Sequence, residues 1–331
     1  MRCAVIGAGA WGTALADLLA GHGHETVMWA LERDVAESVN SSHENRRFLS
    51  GLGLEAALRA TNDYHEALHG AELVVYATPS EHLRRIAAEC AKYVQRGAIL
   101  VIASKGIERG SLALMTDVIE AELPGHAVVG VSGPSFAAEV VAKQPTAIVA
   151  ASHDARAAQI AQATLSGGAF RVYTSDDLTG VELGGSLKNV MAVATGIGEG
   201  VGLGNNSRAA LITRGLHEMT RLGVALKAKA STFAGLAGVG DLVLTCTGGL
   251  SRNRAIGIEI GRGATLAEAL NGKQTVAEGV NTAASARALA DRHEVDMPIV
   301  EMVNRILFEG HTAREAVSEL MTRELRAEQD L

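Results

Sequence analysis

The apolar positions of this chain change rhythm about halfway along. In the first half, short and nearly unbroken runs recur: Cys3 to Ile6, Thr26 to Trp29, Leu73 to Ala77, Ala98 to Ala103, Ala127 to Val131, Ala147 to Ala151 and Phe170 to Thr174. Each is followed by a longer segment of helical character. A strand with one wet face alternates apolar and polar residues, whereas a continuous apolar run is covered on both faces. The pattern therefore predicts a parallel sheet between two layers of helices. After about Leu178 the β-branched runs give way to Ala-, Leu- and Glu-containing stretches with helical spacing, among them Leu187 to Thr195, Ala209 to Leu226 and Thr282 to Arg292. The expected fold class is α/β: a doubly wound sheet over residues 1–178, then an all-α domain over 179–331. Near the C-terminus, Ala313 to Arg326 sets Ala316, Val317, Leu320, Met321 and Leu325 along one face, the pattern of a docked surface helix.

At 331 residues the chain is longer than a single core usually organises, in keeping with two domains. Thirty Lys and Arg against 37 Asp and Glu give a net charge of −7, a sign that repels nucleic acid and anionic membranes, so neither is expected as a main partner. Cys3, Cys90 and Cys246 are odd in number and far apart, which fits a reducing compartment and a cytoplasmic location. Arg2 followed by small apolar residues up to Ala20-Gly21 has the outline of a leader, but Gly7, Gly9 and Gly12 would break its helix. The longest apolar runs are strand-length, so no membrane insertion is expected. The eleven histidines form no spaced cluster with cysteines or carboxylates, and no metal site is expected.

The sharpest local signal is Gly7-Ala-Gly9-Ala-Trp-Gly12, a G-x-G-x-x-G loop between the strand Cys3 to Ile6 and a helix from Thr13 to Ala20. That context predicts a Rossmann-type dinucleotide site. Gly7 permits the tight turn, Gly9 lets the backbone approach a pyrophosphate, and Gly12 lets helix and strand pack closely, while the helix start offers free N–H groups to the phosphates. The second strand ends in Trp29-Ala30-Leu31-Glu32-Arg33-Asp34. An acidic residue there favours the NAD ribose and an arginine the NADP phosphate; both are present, so the cofactor reads as NADP (NADPH) or NAD (NADH). The second glycine cluster, Gly196 to Gly204, fails the G-x-G-x-x-G test at every start and is expected to be a flexible or tightly turned helix connection.

Four further segments carry candidate chemistry. Ser104-Lys105-Gly106 and Ser132-Gly133-Pro134-Ser135 each follow a strand and lie at the carboxyl edge of the sheet, where open α/β sheets bind ligands; a surface lysine and an ordinary turn would look alike in isolation. Gly184-Gly185-Ser186-Leu187-Lys188-Asn189 opens an apolar helix, Val190 to Thr195. Reducing a ketone by hydride creates an alkoxide that needs a proton, and a lysine beside apolar surface can supply it once desolvation or nearby cations lower its pKa. A lysine snorkelling past a helix end is the alternative. Asp241, in the turn Gly238-Val239-Gly240-Asp241, can set a carboxylate against Lys188 or a substrate hydroxyl, or cap a helix. Gly248-Gly249-Leu250-Ser251-Arg252-Asn253 reads as a turn into a helix that offers N–H groups, an arginine fork and an amide to one anion, with a plain Ser cap as the alternative. Cys246 reads as a small buried residue rather than a nucleophile, since no histidine is near in sequence.

Taken together, these segments resemble the bacterial NAD(P)-dependent glycerol-3-phosphate dehydrogenase family, in Gly7-Ala-Gly9-Ala-Trp-Gly-Thr-Ala, Ser104-Lys-Gly-Ile-Glu, Ser132-Gly-Pro-Ser-Phe-Ala, Leu183-Gly-Gly-Ser-Leu-Lys-Asn, Gly238-Val-Gly-Asp-Leu and Ser251-Arg-Asn. The resemblance implies hydride transfer between NAD(P)H and dihydroxyacetone phosphate to give sn-glycerol 3-phosphate, with a role in supplying phospholipid synthesis. It implies Lys188 as the proton-transfer residue, oriented by Asp241, and Lys105, Gly133, Ser135, Asp241, Ser251, Arg252 and Asn253 as substrate contacts. Ala10, Trp11, Lys105, Ala137, Arg252, Val276 and Glu278 are implied as cofactor contacts, beside the loop glycines. Family members commonly carry a basic residue just after the second strand; here Leu31 stands there, with Arg33 two positions later. A homodimer stays open, since nothing in the residues sets the oligomeric state.

Two rival readings remain. One is a two-domain hydroxyacid dehydrogenase of the 6-phosphogluconate or 3-hydroxyisobutyrate type, which also bears a Lys and Asn on its helical domain. The Ser251-Arg252-Asn253 turn and the Ser-Lys-Gly segment argue against it. The other is a non-enzymatic nicotinamide sensor, which would have no use for Lys188 and Asp241 together.

Overall fold

The computed structural model describes residues 1–271, 277–325 and 327–328. The chain divides into two compact units, Met1–Lys105 with Ala113–Glu182, and Gly106–Leu112 with Leu183–Leu331. The division falls inside the long helix Leu178–Gly200.

The first unit is built on eight strands: β1 (Arg2–Ile6), β2 (Glu25–Trp29), β3 (Arg59–Thr61), β4 (Leu73–Tyr76), β5 (Ile99–Ile102), β6 (Val128–Ser132), β7 (Thr146–Ala151) and β8 (Phe170–Ser175). Their order across the sheet is β3-β2-β1-β4-β5-β6-β7-β8. The first six follow the doubly wound order, in which the chain starts in the middle and runs out to one edge before returning to the other. Its two faces are buried separately. Cys3, Val5, Val75 and Val101 belong to one apolar cluster, and Ala4, Ile6, Tyr76, Leu100 and Ile102 to the other. Two-sided burial is why β1, β4 and β5 carry no polar alternation, whereas β8, at the sheet edge, alternates buried and exposed residues from Phe170 to Tyr173.

Two features depart from the expected parallel sheet. β7 runs antiparallel to β6, with Ser132 opposite Val149. The connecting segment holds only the five-residue helix Ala137–Val141 and returns the chain in the reverse sense. A buried apolar run looks the same in either direction, so the sequence carries no sign of the reversal. The short edge strand β3 pairs with β2 through Arg59, Ala60 and Thr61. Three residues are too few to form a pattern.

The second unit is helical among its described residues. The helix expected to open at Gly184 in fact begins at Leu178 and runs to Gly200, so Lys188 is a mid-helix residue. The glycines expected to form a connection are also partly helical. A Cβ on Gly196 would lie 2.2 Å from the Arg254 carbonyl oxygen, and one on Gly200 2.4 Å from that of Ile258. From the facing helix, Arg252–Gly261, a Cβ on Gly257 would lie 2.3 Å from the Val193 oxygen. Here the glycines supply close packing, bringing two helices together backbone to backbone. At the C-terminus the last helix is Ala313–Met321. Ala316 is buried, but Met321 is 80% and Leu325 100% exposed, so the expected docked face shrinks to its first turns.

The apolar stretch Ala230–Thr247 has the length and mean hydropathy, 1.3, of a membrane-crossing helix, which the reading of apolar runs passed over. It is not one helix. Ala230–Phe233, the turn Leu236–Gly240 and the helix Asp241–Thr247 are separate pieces, broken at Gly238, whose φ of −96° and ψ of −106° are non-helical.

A buried carboxylate makes the stability of the second unit depend on pH. Glu218 accepts hydrogen bonds from the Ile299 and Val300 N–H groups, at 2.8 and 3.3 Å, and so satisfies the first turn of the helix Pro298–Phe308. Burial pushes its carboxyl up to about 8, although both N–H groups pull the other way. The folded protein therefore holds a proton that the unfolded chain gives up at lower pH. The stabilisation is complete below the ordinary carboxylate range and is lost as pH rises through about 8. Thermal melting between pH 6 and 9 is expected to show a falling Tm, and Glu218→Gln, which keeps an acceptor for the helix start, to flatten that fall. An equal fall in both proteins would contradict this account.

Candidate active site

In the first unit, β1 delivers the chain into the glycine loop. Gly7 has a φ of +118°, and a Cβ there would lie 2.7 Å from the Ala77 carbonyl oxygen. At Gly12 a Cβ would lie 2.0 Å from the Gly7 carbonyl oxygen. Nothing comes within 4 Å of a Cβ on Gly9. The loop is thus closed against the sheet at two glycines and open at the third. The following helix, Ala10–Gly21, has no acidic residue in its first turn and no side-chain cap from Gly9, which leaves its positive end free for an anion.

A residue that the motif does not include fixes this loop. Asn45 is fully buried, and its amide donates to the Ala8 carbonyl and to Thr13 Oγ1, both at 2.8 Å. At the end of β2, Arg33 is exposed and begins the helix Arg33–Ser42. Arg47 lies 3.8 Å from Glu32 and 3.7 Å from Asp34, a second guanidinium at the strand end.

Along the carboxyl edge, Lys105 is half-buried directly after β5. Gly133 follows β6 with a φ of +149°, and a Cβ there would lie 2.8 Å from Ile148 Cα, so only glycine fits. Ser135 donates to the Gly133 carbonyl at 2.9 Å, and Ala137 begins the next helix.

In the second unit the chemistry gathers around Lys188. Its side chain is 9% exposed, and its ammonium donates to Asp241 Oδ1 and, at 3.0 Å, to Thr245 Oγ1. A buried ammonium persists only when paired, and Asp241, itself 1% exposed, supplies the charge. Backbone packing sets this pair. One turn before Lys188, a Cβ on Gly184 would lie 2.3 Å from the Ala237 carbonyl oxygen, so the segment leading to Asp241 can approach only a glycine. Asp241 then begins its helix, where the N-terminal dipole favours a carboxylate. Thr245, one turn on, donates to the Asp241 carbonyl at 2.6 Å, which leaves its oxygen lone pairs to Lys188.

Asn189, next to Lys188, accepts from Asn253 Nδ2 at 3.0 Å, and Asn253 Oδ1 accepts from the Gly279 N–H at 3.0 Å. This chain joins three helices. Ser251 caps the helix Arg252–Gly261 by accepting from the Arg254 N–H at 3.3 Å. Burial draws the Arg252 guanidinium below its ordinary value, opposed by Glu278. The residue as a whole is exposed, so an anion can reach its guanidinium. Burial pushes the Cys246 thiol up to about 12, too high for a nucleophile at neutral pH.

Residues 2–158 match the N-terminal model of the NAD-dependent glycerol-3-phosphate dehydrogenases, and residues 177–318 the C-terminal model. The chain belongs to this family. A Geobacter sulfurreducens protein named glycerol-3-phosphate dehydrogenase (NAD(P)+) is 52% identical over 330 residues, 99% of this chain and 98% of its own length. A relative of the same name from Citrifermentans bemidjiense is 51% identical, with the same coverage. The crystal structure of glycerol-3-phosphate dehydrogenase from Coxiella burnetii superposes with a TM-score of 0.94 at 39% identity, over 97% of this chain and 99% of that one.

Within this glycerol-3-phosphate dehydrogenase frame, the second unit pairs Lys188 with Asp241 and Asn253 with Asn189, with Arg252 at the start of the helix that carries Asn253, and the first unit sets out Gly7 to Gly12, Lys105, Gly133, Ser135 and Ala137 along one sheet edge. Glu278 begins the helix Glu278–Arg292. Val276 lies outside the described residues. Sequence reading missed Asn45, Arg47 and Thr245 as members of these groups, and noted Asn189 beside Lys188 without giving it a role. Only Thr245 had a local signal, its spacing of four from Asp241.

Proposed function

We propose that the protein reduces dihydroxyacetone phosphate to sn-glycerol 3-phosphate with NADPH or NADH, reversibly, and that the product supplies glycerophospholipid synthesis in the cytoplasm. The observation that carries the reading is the buried Lys188–Asp241–Thr245 cluster with the Asn189–Asn253 pair beside it. A non-enzymatic nicotinamide sensor has no need of a paired lysine at that depth.

The cofactor domain is residues 1–178, most of them in the first unit. Its glycine loop fits a dinucleotide pyrophosphate, because the space a Cβ would fill at Gly9 is open and the Ala10, Trp11 and Gly12 N–H groups begin a helix without an acidic residue. Arg33, Lys105 and Ala137 of the same unit are assigned to the cofactor as well. A reduced nicotinamide held there would supply the hydride for the carbonyl carbon. Residues 179–331 are the substrate domain. Lys188 gives its proton to the oxygen as negative charge develops on it and takes it back in the reverse direction. Asp241 and Thr245 hold the ammonium in place. Ser251, Arg252 and Asn253 of this domain bind the phosphorylated substrate.

Initial rates with Arg252→Ala test the phosphate assignment. The expected result is a KM for dihydroxyacetone phosphate raised about ten- to a hundredfold, the loss of a charge-assisted pair, with kcat changed far less. Unphosphorylated dihydroxyacetone, a poor substrate for both proteins, is expected to show no such difference. Equal impairment with the two substrates would remove the phosphate role from Arg252.

A further inference from the structure

We propose that Thr78 and Ser132 hold the nicotinamide mononucleotide half of the cofactor, a role that rests on the nicotinamide reading above. Tyr76, Ile102 and Gly130 lie side by side in register on β4, β5 and β6. Two residues further on, just past Tyr76 and Ile102 and at the last residue of β6, the same row continues as Thr78, Ser104 and Ser132. Successive residues of a strand face opposite sides, so a step of two returns to the same face. Three hydroxyl residues therefore line up across the carboxyl edge of three neighbouring strands.

Ser104 is partnered, donating to the Thr78 carbonyl at 2.6 Å. The other two are not. Thr78 and Ser132 are each 4% exposed, yet neither hydroxyl has a hydrogen-bond partner. Buried hydroxyls are ordinarily bonded, because leaving one bare forfeits the water it gave up. Two such exceptions in one row, at the edge where open α/β sheets bind ligands, are accounted for together by a polar ligand. Thr78 also touches the nucleotide loop, since a Cβ on Gly7 would meet its Cγ2 at 3.2 Å. A doubly wound sheet binds one mononucleotide on each side of the switch point, which here falls between β1 and β4. The hydroxyl row is on the β4–β6 side, opposite the Glu32 end of β2, and so serves the nicotinamide half rather than the adenosine half.

Titration calorimetry on Thr78→Val and Ser132→Ala, with NADPH, NADH and ADP as ligands, tests this, together with the Tm of the cofactor-free proteins. Valine keeps the methyl against Gly7, and neither change breaks a hydrogen bond. Each variant is expected to melt at or above the wild-type temperature, to bind NADPH and NADH about three- to tenfold more weakly, and to bind ADP as before. Unchanged dinucleotide affinity in both variants would overturn the proposal, as would an equal loss for ADP. Failure of the wild-type protein to bind either reduced dinucleotide would instead overturn the cofactor reading on which it rests.

Discussion

Replacing Lys188 with alanine is expected to lower kcat for dihydroxyacetone phosphate reduction by about a hundred- to ten-thousandfold, the usual worth of general acid–base help. The affinity for NADPH or NADH should stay nearly unchanged. The two quantities separate because Lys188 sits on the helix Leu178–Gly200 and bonds to Asp241 and Thr245, whereas the nucleotide loop is part of the first unit. The substitution also leaves Asp241 buried without its cation, so a loss of stability accompanies it. Lys188→Met keeps more of the packing and should show the same loss of kcat. If either folded variant kept activity within a few-fold of wild type, the proton would have to come from elsewhere.

The second large effect is expected in the glycine loop, where two glycines with different surroundings should fail differently. A Cβ on Gly12 falls 2.0 Å from the Gly7 carbonyl oxygen, a collision of backbone with backbone that no side chain can relieve. Gly12→Ala should therefore lower both Tm and cofactor affinity, with a stability cost of roughly 1–3 kcal/mol, as for overpacking. At Gly9 a Cβ meets nothing within 4 Å. Gly9→Ala should leave the Tm of the free protein unchanged and still weaken NAD(P)H binding more than about tenfold, or roughly 1.4 kcal/mol, because the methyl occupies the space a pyrophosphate needs. Calorimetry and thermal melting on the two proteins check the contrast. Unweakened binding by Gly9→Ala would mean that the cofactor does not approach the loop there.

The fold was legible wherever burial wrote itself into a run of residues. β1, β4 and β5 are covered on both faces, so Ala4 to Ile6, Leu73 to Tyr76 and Ile99 to Ile102 could hardly be read otherwise. The antiparallel sense of β7 left no mark, because side chains report burial and not chain direction. Glycine misled most in the second half. Gly196 and Gly200 looked like a loop, and only the facing glycines Gly257 and Gly261 explain why a helix would carry them.

The candidate site divides in the same way. Lys188, Asp241 and Arg252 stood out because a charge beside small and apolar residues needs a reason. Asn45 did not, since an asparagine 37 positions from Ala8 has no sequence relation to the loop it fixes. Arg47 likewise reaches Glu32 and Asp34 only through the fold. Long-range hydrogen bonds and ion pairs are decided by topology, and a single chain of letters does not display topology.

The most direct test of the central claim is the oxidation of NADPH and NADH by the purified protein, followed by absorbance, with dihydroxyacetone phosphate set against unphosphorylated dihydroxyacetone and a panel of oxo-acids. Rapid oxidation with dihydroxyacetone phosphate, yielding sn-glycerol 3-phosphate, and little or none with the others is the expected result. Turnover of an oxo-acid in preference to dihydroxyacetone phosphate, or binding of the reduced cofactor with no turnover of any substrate, would contradict it.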